Sequence, residues 1–227
     1  VADSLADSVR TTFEWSLARP DSTLRARRPD TVRLTPRIVP IEDYDTTGMS
    51  PMQRFYEALL GGRPVRIAVL GDSFIEGDIL TADLREKLQA AYGGGGTGFA
   101  PMASPLTAFR RTVRTQARGW NSYNIMQRQR TPEELRANYF VSGWVCSPDE
   151  GASTRWEATD ARQRLDSVTT ARVLFLAPED ARIEATLNDT LSRSFDVEGD
   201  AAVRQLLVTA PHIHALSFKV LSGTRRF

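Results

Sequence analysis

Cysteine is nearly absent. Cys146 is the only one in 227 residues, so no disulfide can form within the chain and a disulfide-stapled fold is excluded. Histidine is almost as scarce. His212 and His214 are the only two, and with no cysteine or acidic cluster beside them a metal site is not indicated. Lysine occurs only at Lys87 and Lys219, and the other 27 of the 29 basic residues are arginine, an imbalance that codon bias explains most cheaply. No apolar run approaches the roughly 20 residues that a bilayer-crossing helix needs. Net charge is only +1, so bulk electrostatics give no reason to expect a nucleic-acid partner. The chain opens on Val1 without a methionine or an apolar signal core, the look of a mature or trimmed product.

What is present is ordinary for a globular protein: 41% hydrophobic and 25% charged residues, enough for one large domain or two small ones. Three regions separate. Residues 1–47 hold a predicted helix over 1–18, with Leu5, Val9, Phe13 and Leu17 along one face, then an extended lead-in interrupted by Pro20, Pro29, Pro36 and Pro40. Residues 48–105 read as the start of an α/β domain. A short helix over 51–60 ends at Gly61-Gly62, an apolar strand covers 65–70, and an amphipathic helix covers 79–92 with Leu80, Leu84, Leu88 and Ala91 on one face and Gly93 as its carboxyl cap. Residues 106–227 change character. Short strand-like segments at 139–145, 169–176, 183–187, 202–208 and 214–221, with one capped helix start at Thr131-Pro132-Glu133-Glu134, predict an inserted β-sandwich.

The chemistry concentrates where the strand at 65–70 runs into Gly71-Asp72-Ser73. A serine at the carboxyl end of a strand, facing a helix amino terminus, suits acyl transfer: its own N–H can serve a developing oxyanion, and the helix dipole adds positive potential. The plain alternative is a polar turn residue that caps helix 79–92. Glu76 and Asp78 read as charges that complement a helix start rather than as a paired acid and base. The glycines at 93–98 lack the Lys-Ser/Thr of a phosphate loop and follow a helix, so they read as a flexible loop.

Residues 65–99, VRIAVLGDSFIEGDILTADLREKLQAAYGGGGTGF, resemble the first block of the GDSL-like, or SGNH, hydrolases. The closest likeness is to the subgroup with a Gly-Asp-Ser-x-x-x-Gly-Asp pattern, which includes bacterial peptidoglycan O-acetylesterases. There a carbohydrate-binding-like β-sandwich is inserted after the first strand–helix unit. The resemblance implies that Ser73 is the nucleophile and first oxyanion donor, and that Gly71 and Asp72 support the turn. It implies a polysaccharide substrate, export to the periplasm or cell surface, and no metal or organic cofactor. Phe74 departs from the histidine often found at that place. The family's Gly-x-Asn-Asp and Asp-x-x-His blocks are not present: Leu187-Asn188-Asp189 reads as a hairpin turn, and neither histidine has an Asp three residues ahead. The expectation is therefore the front portion of an ester hydrolase whose base lies beyond residue 227. A non-catalytic glycan-binding or scaffold protein is the second reading.

Arginines 110, 111, 114, 118, 128 and 130 occupy a stretch, 101–130, with no acidic residue. A solvated face is the default expectation for them, and contact with an anionic polymer is the sharper one. Trp120 and Tyr123, in a polar and loop-like setting, are the candidate glycan contacts. Cys146 is expected to be a small buried hydrophobe.

Overall fold

The computed structural model describes residues 51–105, 110–159 and 168–223. The helix and lead-in expected over residues 1–50 lie outside them. Most of the regular structure described is antiparallel β-sheet, with few helices.

The sandwich follows from period-two patterning. In β4 (Ala181–Leu187) the side chains of Ala181, Ile183, Ala185 and Leu187 are buried while Arg182 points to solvent. In β7 (Ala215–Gly223) Leu216, Phe218 and Val220 do the same. These two strands form the middle of a five-stranded sheet in the order β1 (Val113–Asn124), β2 (Trp144–Ala158), β7, β4, β5 (Leu191–Val197). Strands β3 (Thr170–Ala177) and β6 (Asp200–Thr209) pair as a second sheet, and their Val173, Phe175, Leu206 and Val208 complete one shared core. Phe175 and Phe218 meet across it with ring centroids 5.6 Å apart. Each fully buried side chain of this size stabilises the fold by about 1.5–3 kcal/mol. The β4–β5 turn is the hairpin expected at Asn188-Asp189, both residues left-handed at φ 49° and 59°. Asn188 Oδ1 accepts the N–H groups of His214 and Ala215, and so anchors the approach to β7.

Two strands escape the sequence pattern altogether, and β2 meets the segment expected at 139–145 only at Trp144 and Val145. β1 contains two arginines, Arg114 and Arg118, and buries only Val113 fully, as suits an edge strand kept from pairing further by charge. It also carries Trp120 and Tyr123, so their expected loop setting is corrected to a strand. β5 is likewise mostly exposed. The capped helix expected from Thr131 is only a 3-10 turn, Glu133–Leu135. Thr131 turns its hydroxyl to Tyr139 Oη instead of to a backbone N–H, so no capping box forms.

The larger correction concerns residues 48–105. Helices α1 (Pro51–Leu60) and α3 (Ile79–Tyr92) form as expected, with Gly93 capping α3 through its N–H to Gln89 O at 2.9 Å. The strand expected at 65–70 does not form. Residues 63–72 run without helix or strand, and Ile67 and Leu70 are 48% and 83% exposed. A strand is held by a hydrogen-bonded neighbour, and no described strand borders this segment. For the same reason the apolar stripe of α3 finds no partner: Leu80 and Leu84 face solvent. The face that packs is Asp78, Ala82, Arg85 and Gln89, at spacings of four, three and four. Among the described residues no helix is long and apolar enough to cross a membrane.

Candidate functional site

Ser73 opens a single helical turn, α2 (Ser73–Glu76). Asp72 caps that turn: its Oδ1 accepts the Phe74 N–H at 3.0 Å, and its carbonyl accepts from Ile75 and Glu76. Gly71 is needed for the approach, since a Cβ there would stand 2.6 Å from Ile75 Cγ1. Asp78 occupies the cap position of α3. Ser73 therefore caps neither helix, and the capping alternative for it is corrected. Its side chain is exposed, and neither its hydroxyl nor its N–H has a partner among the described residues.

Two side chains on the following residues tie this turn to the sandwich. Glu76 Oε1 accepts the Trp144 Nε1–H at 3.1 Å. Residues 73 and 76 lie one turn apart on the same side of α2, so the serine stands beside the tryptophan-bound carboxylate. Asp78, with a left-handed backbone at φ 57°, is buried in a charged cluster. Arg85 Nη1 and Nη2 donate to its two oxygens at 3.0 and 2.9 Å. The hydroxyls of Thr81 and Thr112 also donate to it. Arg110 Nη2 lies 3.3 Å from Oδ2 and donates further to the Thr97 carbonyl, while Nη1 donates to the Phe99 carbonyl. Burial alone would push the Asp78 carboxyl up, but the bonds from Arg85 and the charge of Arg110 outweigh it and hold the group below its usual range. Arg110 is thus corrected from a solvated residue to a buried one, and Asp78 from a helix-start charge to the centre of an inter-element clamp.

Trp144 also walls a groove of about 830 Å³. Its floor is one face of β1, with Thr115, Ala117, Trp120, Ser122 and Asn124. Alternation would be broken at Gly119, but the register shifts there and returns Trp120 to the face of Ala117. Only glycine fits: φ is +71°, and a Cβ would lie 3.1 Å from Ala152 Cα. Trp120 is fixed by its Nε1–H to Ser153 O at 3.1 Å and packs partly on the core. Residues 103–105 border it on one side, and Arg118, Tyr123, Gln127 and Arg130 also line it.

The two imidazoles sit elsewhere. His212 and His214 are exposed just before β7, with rings 6.5 Å apart. His214 Nε2 is 3.4 Å from Glu157 Oε1, in a surface network where Arg155 binds both Glu157 and Asp189. Hydrogen bonds from Arg155 draw both carboxyls below their usual range. Neither ring bonds to Ser73. No group of three or more potential metal ligands occurs among the described residues. Cys146 is buried, and burial pushes its thiol up.

The sequence brought Ser73, Gly71 and Asp72 together, and Trp120 and Tyr123 together. It missed Glu76–Trp144 and Asp78–Arg110, whose partners are 68 and 32 positions apart. The one available signal was the Asp of Gly77-Asp78, set against an acid-free run of arginines. No protein-family model and no curated protein matches the chain.

Proposed function

We propose that this chain carries the nucleophile of a serine ester hydrolase that removes acyl groups, O-acetyl foremost, from a polysaccharide outside the cytoplasm. The observation that carries this reading is an uncovered Ser73 on a turn whose Glu76 is bonded to the wall of an aromatic-lined groove. Cap positions on both sides of Ser73 are filled by aspartates, which leaves its hydroxyl without a structural task among the described residues.

In this reading Ser73 Oγ attacks the ester carbonyl carbon and its proton passes to an imidazole base. The C–O bond to the sugar then breaks, the sugar oxygen takes that proton, and water releases the acyl group from the serine. The Ser73 N–H faces the developing oxyanion. His214 is engaged by Glu157 and His212 stacks on His214, so in this reading the base is a different residue of the working enzyme. The groove would hold the polysaccharide with the ester at its α2 end.

The test is p-nitrophenyl acetate hydrolysis by the natural gene product containing these residues, beside its Ser73→Ala variant. Loss of kcat/KM by about 10³-fold or more supports the nucleophile. Equal rates, with unchanged folding by circular dichroism, overturn it. A glycan-binding protein without catalysis is the reading that the groove would then favour.

A further inference from the structure

We infer that Trp144 is a positioning residue for Ser73: the sandwich aims the serine through this indole, besides walling the groove with it. The inference rests on the reading above for the role of Ser73 and gives the sandwich a second task. Helix α2 buries none of its side chains, so packing does not fix how it sits. The chain before it, residues 63–72, forms no helix or strand and brings no ladder of hydrogen bonds to the turn. After it, Gly77 and Asp78 are buried, and Asp78 is held by Arg85 and Arg110. The turn is thus pinned at its carboxyl end, and Gly77 is a pivot unless something holds the other side. The bond from Trp144 Nε1–H to Glu76 Oε1 does so. Among the described residues it is the one hydrogen bond that joins residues 71–76 to the sandwich.

The indole stands on a rigid mount. Trp144 opens β2 opposite Asn124 of β1, and its carbonyl accepts the Phe140 N–H at 3.1 Å. Ser142 Oγ accepts the Trp144 N–H at 3.3 Å. Gly143, at φ +72°, gives its carbonyl to the Ile125 N–H at 2.9 Å, and so ties the approach to the end of β1. Val145, the next residue, is fully buried. A donor on such a frame fixes the carboxylate that it binds, and Glu76 lies one helical turn from Ser73. Small displacements of a nucleophile are costly in rate, so the bond bears on catalysis. A side chain that only held polymer in the groove would leave a small ester untouched. One that aims the nucleophile lowers kcat on that ester as well.

The test is hydrolysis of p-nitrophenyl acetate, too small to span the groove, by the natural gene product and three variants: Trp144→Phe, Glu76→Ala and both together. Phenylalanine keeps an aromatic wall and removes the N–H donor. Glu76 is exposed, so its substitution leaves the sandwich core untouched. The expected result is a kcat about 10-fold lower in each single variant, an unchanged KM, and a double variant no worse than the singles. Losses that multiply, or a kcat that stays at the wild-type value, overturn the inference. Amide hydrogen exchange reads the tether without catalysis. The N–H groups of Ile75, Glu76 and Gly77 close the turn, and they should exchange faster in all three variants. Unchanged exchange overturns the tether whatever the rates. Faster exchange beside full hydrolysis by Ser73→Ala overturns the nucleophile and not the tether.

Discussion

Asp78 and Arg110 meet at 3.3 Å across the junction between helix α3 and the sandwich, with both side chains almost wholly out of water. The pair closes a five-group cluster with Arg85, Thr81 and Thr112. It fixes the residue two places after the serine-bearing turn. Desolvating two charges is costly, and only the extra bonds to Thr97, Phe99 and Thr112 make the arrangement tolerable. Removing one partner leaves the other buried and uncompensated.

Asp78→Asn should therefore lower unfolding free energy by about 3–5 kcal/mol, the usual cost of breaking a buried ion pair. Asparagine tolerates the left-handed backbone of this position, so the loss reads the charge and not the turn. Urea denaturation measures it. A loss under about 1 kcal/mol would show that the cluster does not hold the junction.

The same carboxyl makes stability depend on acid. Its folded-state pKa is held below the ordinary 3.8, so the unfolded chain binds the proton more readily. The contribution is fully present above the unfolded value and is lost as pH falls through the folded one. Glu157 and Asp189 shift in the same direction, so the informative quantity is a difference. The stability gap between wild type and Asp78→Asn should be constant above about pH 5 and narrow in more acid solution. A gap that stays constant down to pH 2 would contradict the assignment.

Gly119→Ala should destabilise by about 1–2 kcal/mol, since an L side chain is strained in the left-handed region. The new Cβ also presses on the Ala152 backbone. Thermal unfolding measures the loss. Weaker glycan binding should accompany it, because the register shift at Gly119 is what keeps Trp120 on the floor of the groove. Unchanged stability would place the bulge elsewhere.

Glu76→Ala removes the acceptor of Trp144 Nε1–H, while Glu76→Gln keeps a carbonyl there. Hydrolysis of an O-acetylated polysaccharide should fall about 10-fold or more in the alanine variant and recover most of the way in the glutamine variant. Equal effects of the two substitutions would show that charge, not the bond to Trp144, matters at this position.

The core strands were legible because they are buried on one face. Ala181, Ile183, Ala185 and Leu187 alternate with residues that meet more solvent, and that period is a direct record of burial. Strand β1 was illegible for the opposite reason: an edge strand covered by little needs no apolar period, and its arginines look like loop. Residues 65–70 mislead the other way. Their apolar run is what a doubly covered parallel strand looks like, yet pairing comes from neighbours, and none borders it among the described residues.

At the candidate site, local geometry was readable and distant geometry was not. Gly71-Asp72-Ser73 implied a tight turn, and Asp72 caps it. That Asp78 would reach Arg110 depends on how α3 settles on the sandwich, which no local spacing encodes. Trp120 and Tyr123 were singled out together, and they line one groove although their expected loop is a strand.

The most direct measurement is covalent labelling of the natural gene product with a fluorophosphonate, followed by tryptic mass mapping. The account predicts one phosphonylated peptide, residues 67–85, with the adduct on Ser73 and no labelling of the Ser73→Ala variant. An active esterase whose adduct maps to another serine would contradict it.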